Sequence, residues 1–392
     1  MPHHHFATMA EKDEAFYMTN TIRAPWRYDF VGSFLRPAYL KEAREQKAKG
    51  QISEEQLTEA ENKAIEDLIA KEKKAGFHIL TDGEFRRSAW HLDFMWGFDG
   101  ITHAPTKTGL PFAGEAAMID DTWVTGKIAY KGHHPFLDHF RFVDERTDEN
   151  TAAKLTIPAP AQFLEQFDMP FAKETTSRVY PDEKDLIHDI VEAYAAFIGD
   201  LYKEGCRNLQ LDDCSWGLLA DPRRYQFFDT DDAGIEEIKE CYLDINNAVI
   251  ARAPEDLTIN THVCRGNFHS TYAAAGGYDS IAAFLFAREN VNAFYLEYDT
   301  ERAGGFEPLR QVPKDKKVVL GLITTKSGEL EDPDLIKRRI RQASAFIDLD
   351  RLCLSPQCGF ASCEIGNKLS EQQEWDKLAL VKKIAEDVWK DA

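Results

Sequence analysis

The chain lacks any run approaching the roughly 20 consecutive apolar residues that a membrane-spanning helix needs. Its N-terminus carries charged and aromatic residues where a secretory signal would place an apolar stretch, so a cytoplasmic protein with no membrane partner is expected. A disulfide framework is missing as well. The seven cysteines (Cys206, Cys214, Cys241, Cys264, Cys353, Cys358 and Cys363) are odd in number and irregular in spacing, which favours reduced thiols. Positive charge is scarce: 47 Lys and Arg stand against 67 Asp and Glu, a formal charge of −20. That field repels phosphate backbones, and no basic stripe with interleaved aromatics offsets it, so nucleic acid is excluded as a partner. There is no Gly-x-Gly-x-x-Gly turn after the first apolar run, no internal repeat and no low-complexity tract.

What remains is an ordinary globular composition, 43% hydrophobic over 392 residues, with ample length for a large core. Eight apolar runs bounded by turn residues read as buried strands: 28–34, 78–85, 154–159, 207–213, 257–264, 291–298, 317–324 and 351–360. Helical patterns lie between them at 53–75, 183–204, 231–251, 279–288, 332–347 and 370–391. The first of these opens with Ser53 ahead of Gln56, a capping-box start. Alternation of this kind gives parallel strands with crossover helices, and eight units most economically form an α/β fold of the (β/α)8 TIM-barrel type. The stretch 97–150 breaks the rhythm and reads as an inserted excursion between strands two and three, a hairpin over the barrel mouth. Residues 1–22, with His3, His4 and His5, are set apart as an N-terminal extension, leaving 23–392 as a single barrel unit.

In such barrels the C-terminal ends of the strands build the active site, so a polar residue closing an apolar run is informative. Ser33, Glu84 and Asp212 lie at such ends, and so do His262 with Cys264, Glu297, Lys326 and Cys358. Strand side chains two apart point the same way, so His262 and Cys264 can grip one ion. Glu297 adds a carboxylate and Cys358 a second thiolate, a mixed N/O/S set that suits tetrahedral Zn2+. Taken singly, either cysteine is more often a small buried hydrophobe, and either acid a helix cap. Their joint placement favours the metal. The aromatic stretch from Trp90 to Trp96 reads as packing, with Arg86, Arg87 and His91 within reach of the mouth.

These residues resemble the cobalamin-independent methionine synthase family, specifically its catalytic barrel. The motifs fall in the family's order from about Arg23 to Trp389: Val31-Gly-Ser33, Asp82-Gly-Glu-Phe-Arg86, Leu209-Gln-Leu-Asp212, Thr261-His-Val-Cys264, Phe294-Tyr-Leu-Glu297 and Ser355-Pro-Gln-Cys-Gly359. The resemblance implies a zinc-dependent S-methyltransferase of methionine biosynthesis. Zinc would be held by His262, Cys264, Glu297 and Cys358, homocysteine would enter as a thiolate, and Ser33, Glu84 and Asp212 would take its amino-acid end. The chain departs from the family in lacking a second, N-terminal barrel. Lys326 stands where the family has a His, a catalytic candidate acting electrostatically on an anionic donor or leaving group. No Trp lies between Pro158 and Pro170 to stack a pterin, only Phe163 and Phe167. The methyl donor therefore stays open among a methylfolate, a methylated corrinoid protein partner and other activated compounds. Two alternatives stand beside this reading: a zinc alkyltransferase that opens epoxides with a sulfonated thiol, and a non-catalytic zinc-binding module.

Overall fold

The structure, a computed structural model, describes residues 21–392. The extension expected over residues 1–22, with its three histidines, lies almost wholly outside the described residues. Six parallel strands form the main sheet in sequence order: β7 (Leu155–Pro158), β8 (Asn208–Asp213), β9 (Thr258–Val263), β10 (Ala293–Glu297), β11 (Lys317–Ile323) and β12 (Leu352–Pro356). Nearly every residue of these strands is buried, which is why they read as continuous apolar runs rather than as alternating ones. Two short strands, β1 (Ile79–Leu80) and β6 (Ala152–Ala153), pair in parallel ahead of β7. The segment around Tyr28 makes a parallel bridge to Leu354 of β12, and on its other side the Phe34 amide donates to the Gly83 carbonyl at 3.1 Å. β6 runs on into β7 and shares its position, so the Tyr28 segment, β1, β6–β7 and the five strands β8 to β12 make eight strand positions that follow one another in parallel, the TIM-barrel-type order.

The first two positions are shorter than the sequence suggests. Residues 28–34 make a single bridge rather than a strand, because Gly32 turns the chain at φ +155° and a Cβ there would stand 2.8 Å from the Thr156 methyl. Strand two stops at Leu80, since Gly83 and Glu84 both take positive φ. The expected helix 279–288 breaks into one 3-10 turn (Tyr278–Ser280) and a short helix, Leu285–Arg288. By contrast Glu54–Ala75 begins on the full capping box, Ser53 Oγ accepting from the Gln56 amide and Gln56 Oε1 from the Ser53 amide, and ends at Gly76 in the left-handed region.

The excursion between strands two and three holds more than a hairpin. Strand β2 (Asp99–Ala104) pairs antiparallel with β5 (Asp121–Ala129), and a tight hairpin of β3 (Leu110–Phe112) and β4 (Glu115–Ala117) forms its tip. The aromatic run 136–143 is a helix, Pro135–Asp144, burying Phe136, Leu137, Phe140 and Val143 at helical spacing. The tip folds over the C-terminal ends of the strands, where Phe112 meets Phe268 at 5.4 Å between ring centroids.

Candidate active site

Four strand ends deliver the donor atoms. His262 lies in β9, Glu297 ends β10, and Cys264 and Cys358 fall just past β9 and β12. One ligand atom from each lies within 4.8 Å of all the others, and all four residues are buried. The two thiol sulfurs are 3.7 Å apart. His262 Nδ1 faces the Tyr295 carbonyl at 3.3 Å, which fixes the ring and leaves the buried Nε2 without a hydrogen-bond partner among the described residues. Glu297 is oriented through Oε1 by the Arg265 amide at 3.1 Å, and its Oε2 lies 3.0 Å from the Arg302 guanidinium. Hydrogen bonds from the Cys214 and Cys358 thiols, in that order, hold the Cys264 thiol well below its usual range. A buried imidazole nitrogen with a free lone pair, two thiols in contact and an anchored carboxylate fit a zinc ion.

Ser33, Glu84 and Asp212 line the same cavity as His262, Cys264 and Cys358, a space of about 840 Å3. Glu84 sits at φ +61°, a conformation that costs a non-glycine residue of order 1 kcal/mol or more and that persists where surroundings over-determine it. Here Thr156 Oγ1 donates to Glu84 Oε1 at 2.8 Å and Arg87 lies 3.4 Å from the same oxygen, while Oε2 is buried with no hydrogen-bond partner among the described residues. Asp212 accepts from Gln210 Nε2 at 2.7 Å. Burial pushes its carboxyl up to about 7, with the Glu84 charge adding and His262 opposing. Ser33 Oγ accepts from the Ala361 amide at 3.3 Å, and Gly359 permits this approach, since a Cβ there would stand 1.9 Å from that oxygen.

Lys326 stands near Glu297 and Cys358, which feel its charge. Its ammonium donates to Asn267 Oδ1 at 2.8 Å and to the Gly266 carbonyl at 3.3 Å, tying the loop after β9, and it is absent from the cavity lining. Lys326→Ala is therefore expected to destabilise the fold by about 1 to 2 kcal/mol, the net value of charge-assisted hydrogen bonds, with turnover little changed. Thermal melting and steady-state rates check this. A rate loss on the order of a hundredfold at an unchanged melting temperature, as for removal of a general acid, would return Lys326 to the chemistry.

Several cavity residues escaped the sequence reading. Trp90 lines the space rather than merely packing; His91, expected within reach of the mouth, lines it as well, and burial pushes its imidazole down to about 3, so it is neutral. Leu110 and Phe112 come from the hairpin tip, and Glu165, Phe228 and Tyr242 from crossover segments. Cys214 was readable: it continues past β8 two residues after Asp212, and so keeps to the same side. Phe163 and Phe167 are fully buried in the core and line no part of the cavity.

Residues 159–384 match the model of the cobalamin-independent synthase catalytic domain. The chain is 44% identical to the uncharacterized protein YxjH of Bacillus subtilis, over 94% of this chain and 96% of that one. A crystal structure from Listeria monocytogenes, described as a candidate vitamin-B12 independent methionine synthase, is 34% identical and superposes with a TM-score of 0.73 over 94% of this chain and 99% of that one. A Shewanella B12-independent methionine synthase, solved in complex with selenomethionine, shares the fold at 19% identity, with a TM-score of 0.68 over 92% of this chain and 97% of that one. The matched family model spans more than half of the chain and the fold agrees, so the chain belongs to the cobalamin-independent methionine synthase catalytic-domain family.

Proposed function

We propose that the protein is a zinc-dependent S-methyltransferase that methylates homocysteine to methionine. The observation that carries this reading is the joining of two chemically distinct sets: a four-donor metal group, of which His262, Cys264 and Cys358 line the cavity, and, in the same cavity, the buried carboxylates of Glu84 and Asp212. His262, Cys264, Glu297 and Cys358 would hold the zinc. Bound there, zinc would keep a coordinated thiol deprotonated at neutral pH, where a free thiol of pKa about 8.5 is mostly protonated.

The chain's own groups do the rest. Glu84 Oε2, buried and unpartnered among the described residues, and the Asp212 carboxylate suit the substrate ammonium, because Arg87 lies against the other Glu84 oxygen and Asp212 accepts its hydrogen bond from the neutral Gln210 amide. Ser33 and nearby backbone amides suit the substrate carboxylate. The β3–β4 tip excludes water from above. This pair of carboxylates would repel a sulfonate, which disfavours the epoxide-opening alternative with its sulfonated thiol. The selenomethionine bound by the Shewanella relative is a selenium analogue of the expected product.

Zinc-edge X-ray spectroscopy with and without L-homocysteine tests the reading. Entry of an additional sulfur into the zinc coordination sphere is the expected result. A coordination sphere indifferent to the thiol would leave a structural metal and remove the proposed activity.

A further inference from the structure

The cavity does not end at the metal group. It extends into a wing between the Pro160–Asp168 helix, the residues around Phe228 and the first turns of the Asp232–Ile250 helix. This wing has no counterpart in the thiol half of the site, and its chemistry is one-sided. Its carboxylates are Glu165, Asp168, Glu183, Asp229 and Glu237; among the described residues its one cation is Lys173, which lies close enough to Asp168 and Glu183 to oppose their charge. The Arg265 guanidinium, at the metal end, is already taken up by the Gly276 carbonyl and the Tyr278 hydroxyl. Phe228 and Tyr242 provide an aromatic wall, with ring centroids 6.3 Å apart.

Glu165 is the informative member. Its side chain is more than nine-tenths buried yet lines the cavity. Gln162 Nε2 donates to one carboxyl oxygen at 3.1 Å, and among the described residues nothing donates to the other. Burial and then the neighbouring Asp213 push the carboxyl up to about 8. A buried acid beside aromatic rings with no cation of its own is a site that gains most from a positively charged ligand.

Resting on the reading of the thiol half given above, we infer that the methyl donor is a small sulfonium compound, its positive sulfur seated between Glu165 and the wall of Phe228 and Tyr242. The thiolate sulfur of homocysteine forms the new bond to the methyl carbon. The bond from that carbon to the sulfonium sulfur breaks, and its electron pair stays on the departing sulfur, which leaves as a neutral thioether. The thiol proton has already gone to solvent, so the leaving group needs none. This suits a cavity that Lys326, bonded to Asn267, does not line, whereas a departing pterin nitrogen must be protonated. It also suits an acidic wing, which opposes the anionic tail of a folate.

Two measurements on the zinc-loaded full chain test the inference. Calorimetry compares S-methylmethionine and trimethylsulfonium with their uncharged carbon isosteres; a charge preference of about tenfold or more is expected. Turnover with L-homocysteine is then followed by loss of free thiol, using the same sulfonium compounds and, separately, 5-methyltetrahydrofolate with one and three glutamates. Glu165→Gln and, at an exposed position that does not threaten folding, Glu237→Gln should raise KM for the sulfonium about tenfold or more in the first case and severalfold in the second, with KM for homocysteine unchanged. Equal binding of the uncharged isosteres, turnover with methylfolate alone, or sulfonium kinetics indifferent to both substitutions would overturn the inference. So would loss of methylfolate turnover in Glu165→Gln, which would make Glu165 a proton donor. Should homocysteine fail to enter the zinc sphere while the sulfonium still binds with charge preference, the thiol reading falls and the donor wing stands.

Discussion

Cys358→Ser is expected to lose both the metal and the methyl transfer while keeping the fold. The sulfur lies 3.7 Å from Cys264 Sγ, just beyond the end of β12, and is almost fully buried. A serine hydroxyl is a harder donor and is not ionised near neutral pH, so the soft thiolate is not replaced in kind. Loss of several kcal/mol of Lewis-acid stabilisation corresponds to a rate loss on the order of 1,000-fold or more. Folding has other supports, because β12 is held by Leu352 and Leu354 in the main core and by its ladder to β11. The readouts are zinc per chain after dialysis against a chelator, turnover, and circular dichroism. Cys206→Ser is the matched control: this thiol is equally buried, but its sulfur faces the Asn208 carbonyl at 3.4 Å, so zinc should be retained. Full zinc in Cys358→Ser would take Cys358 out of the site.

The same four residues show what the sequence can and cannot convey. Buried parallel strands leave a strong trace, a short apolar run cut off by a polar residue, and each metal-type donor falls at or just beyond such an end. Distance follows in part from strand order: adjacent parallel strands are roughly 4.8 Å apart, so His262 and Glu297 on the neighbouring β9 and β10 converge, whereas Cys358, past β12 with β11 between it and β10, is brought to them by the tertiary fold. The Ala38–Ala48 helix went unread because it buries only Leu40 and so has no apolar stripe. The Pro135–Asp144 helix was taken as part of a hairpin because its aromatic residues satisfy more than one short period.

Side-chain direction is the other loss. Lys326 stands beyond the end of β11 as expected, but Asn267 and Gly266, on the loop after another strand, decide where its ammonium goes. The partners of Glu297 are Arg265, on the loop after β9, and Arg302, in a 3-10 turn, segments whose paths strand and helix periodicity do not determine. For the same reason Glu165 and Tyr242, on crossover helices, could not be aimed at the cavity from periodicity alone. A helical pattern says which face is apolar, not which neighbour that face meets.

Asp212→Asn should weaken L-homocysteine by about 2 to 3 kcal/mol, the cost of removing one member of a buried charge-assisted contact, and should leave zinc content as it was. The substitution keeps the shape of the side chain and removes only the charge offered to the ammonium, and Asp212 is not one of the four clustered donors. The fold should tolerate it, since in the free protein this carboxyl already sits in a place that disfavours its charge. Glu84→Gln should act in the same direction, and because the two acids face one cavity and their charges interact, the double substitution should cost less than the sum of the two. The decisive comparison uses a thiol that lacks the amino group, 4-mercaptobutanoate. It should bind the unaltered protein more weakly than homocysteine does, and it should bind Asp212→Asn no more weakly than it binds the unaltered protein. If the two thiols bind the unaltered protein equally, Glu84 and Asp212 hold no ammonium, and the identity of the thiol must be sought elsewhere in the cavity.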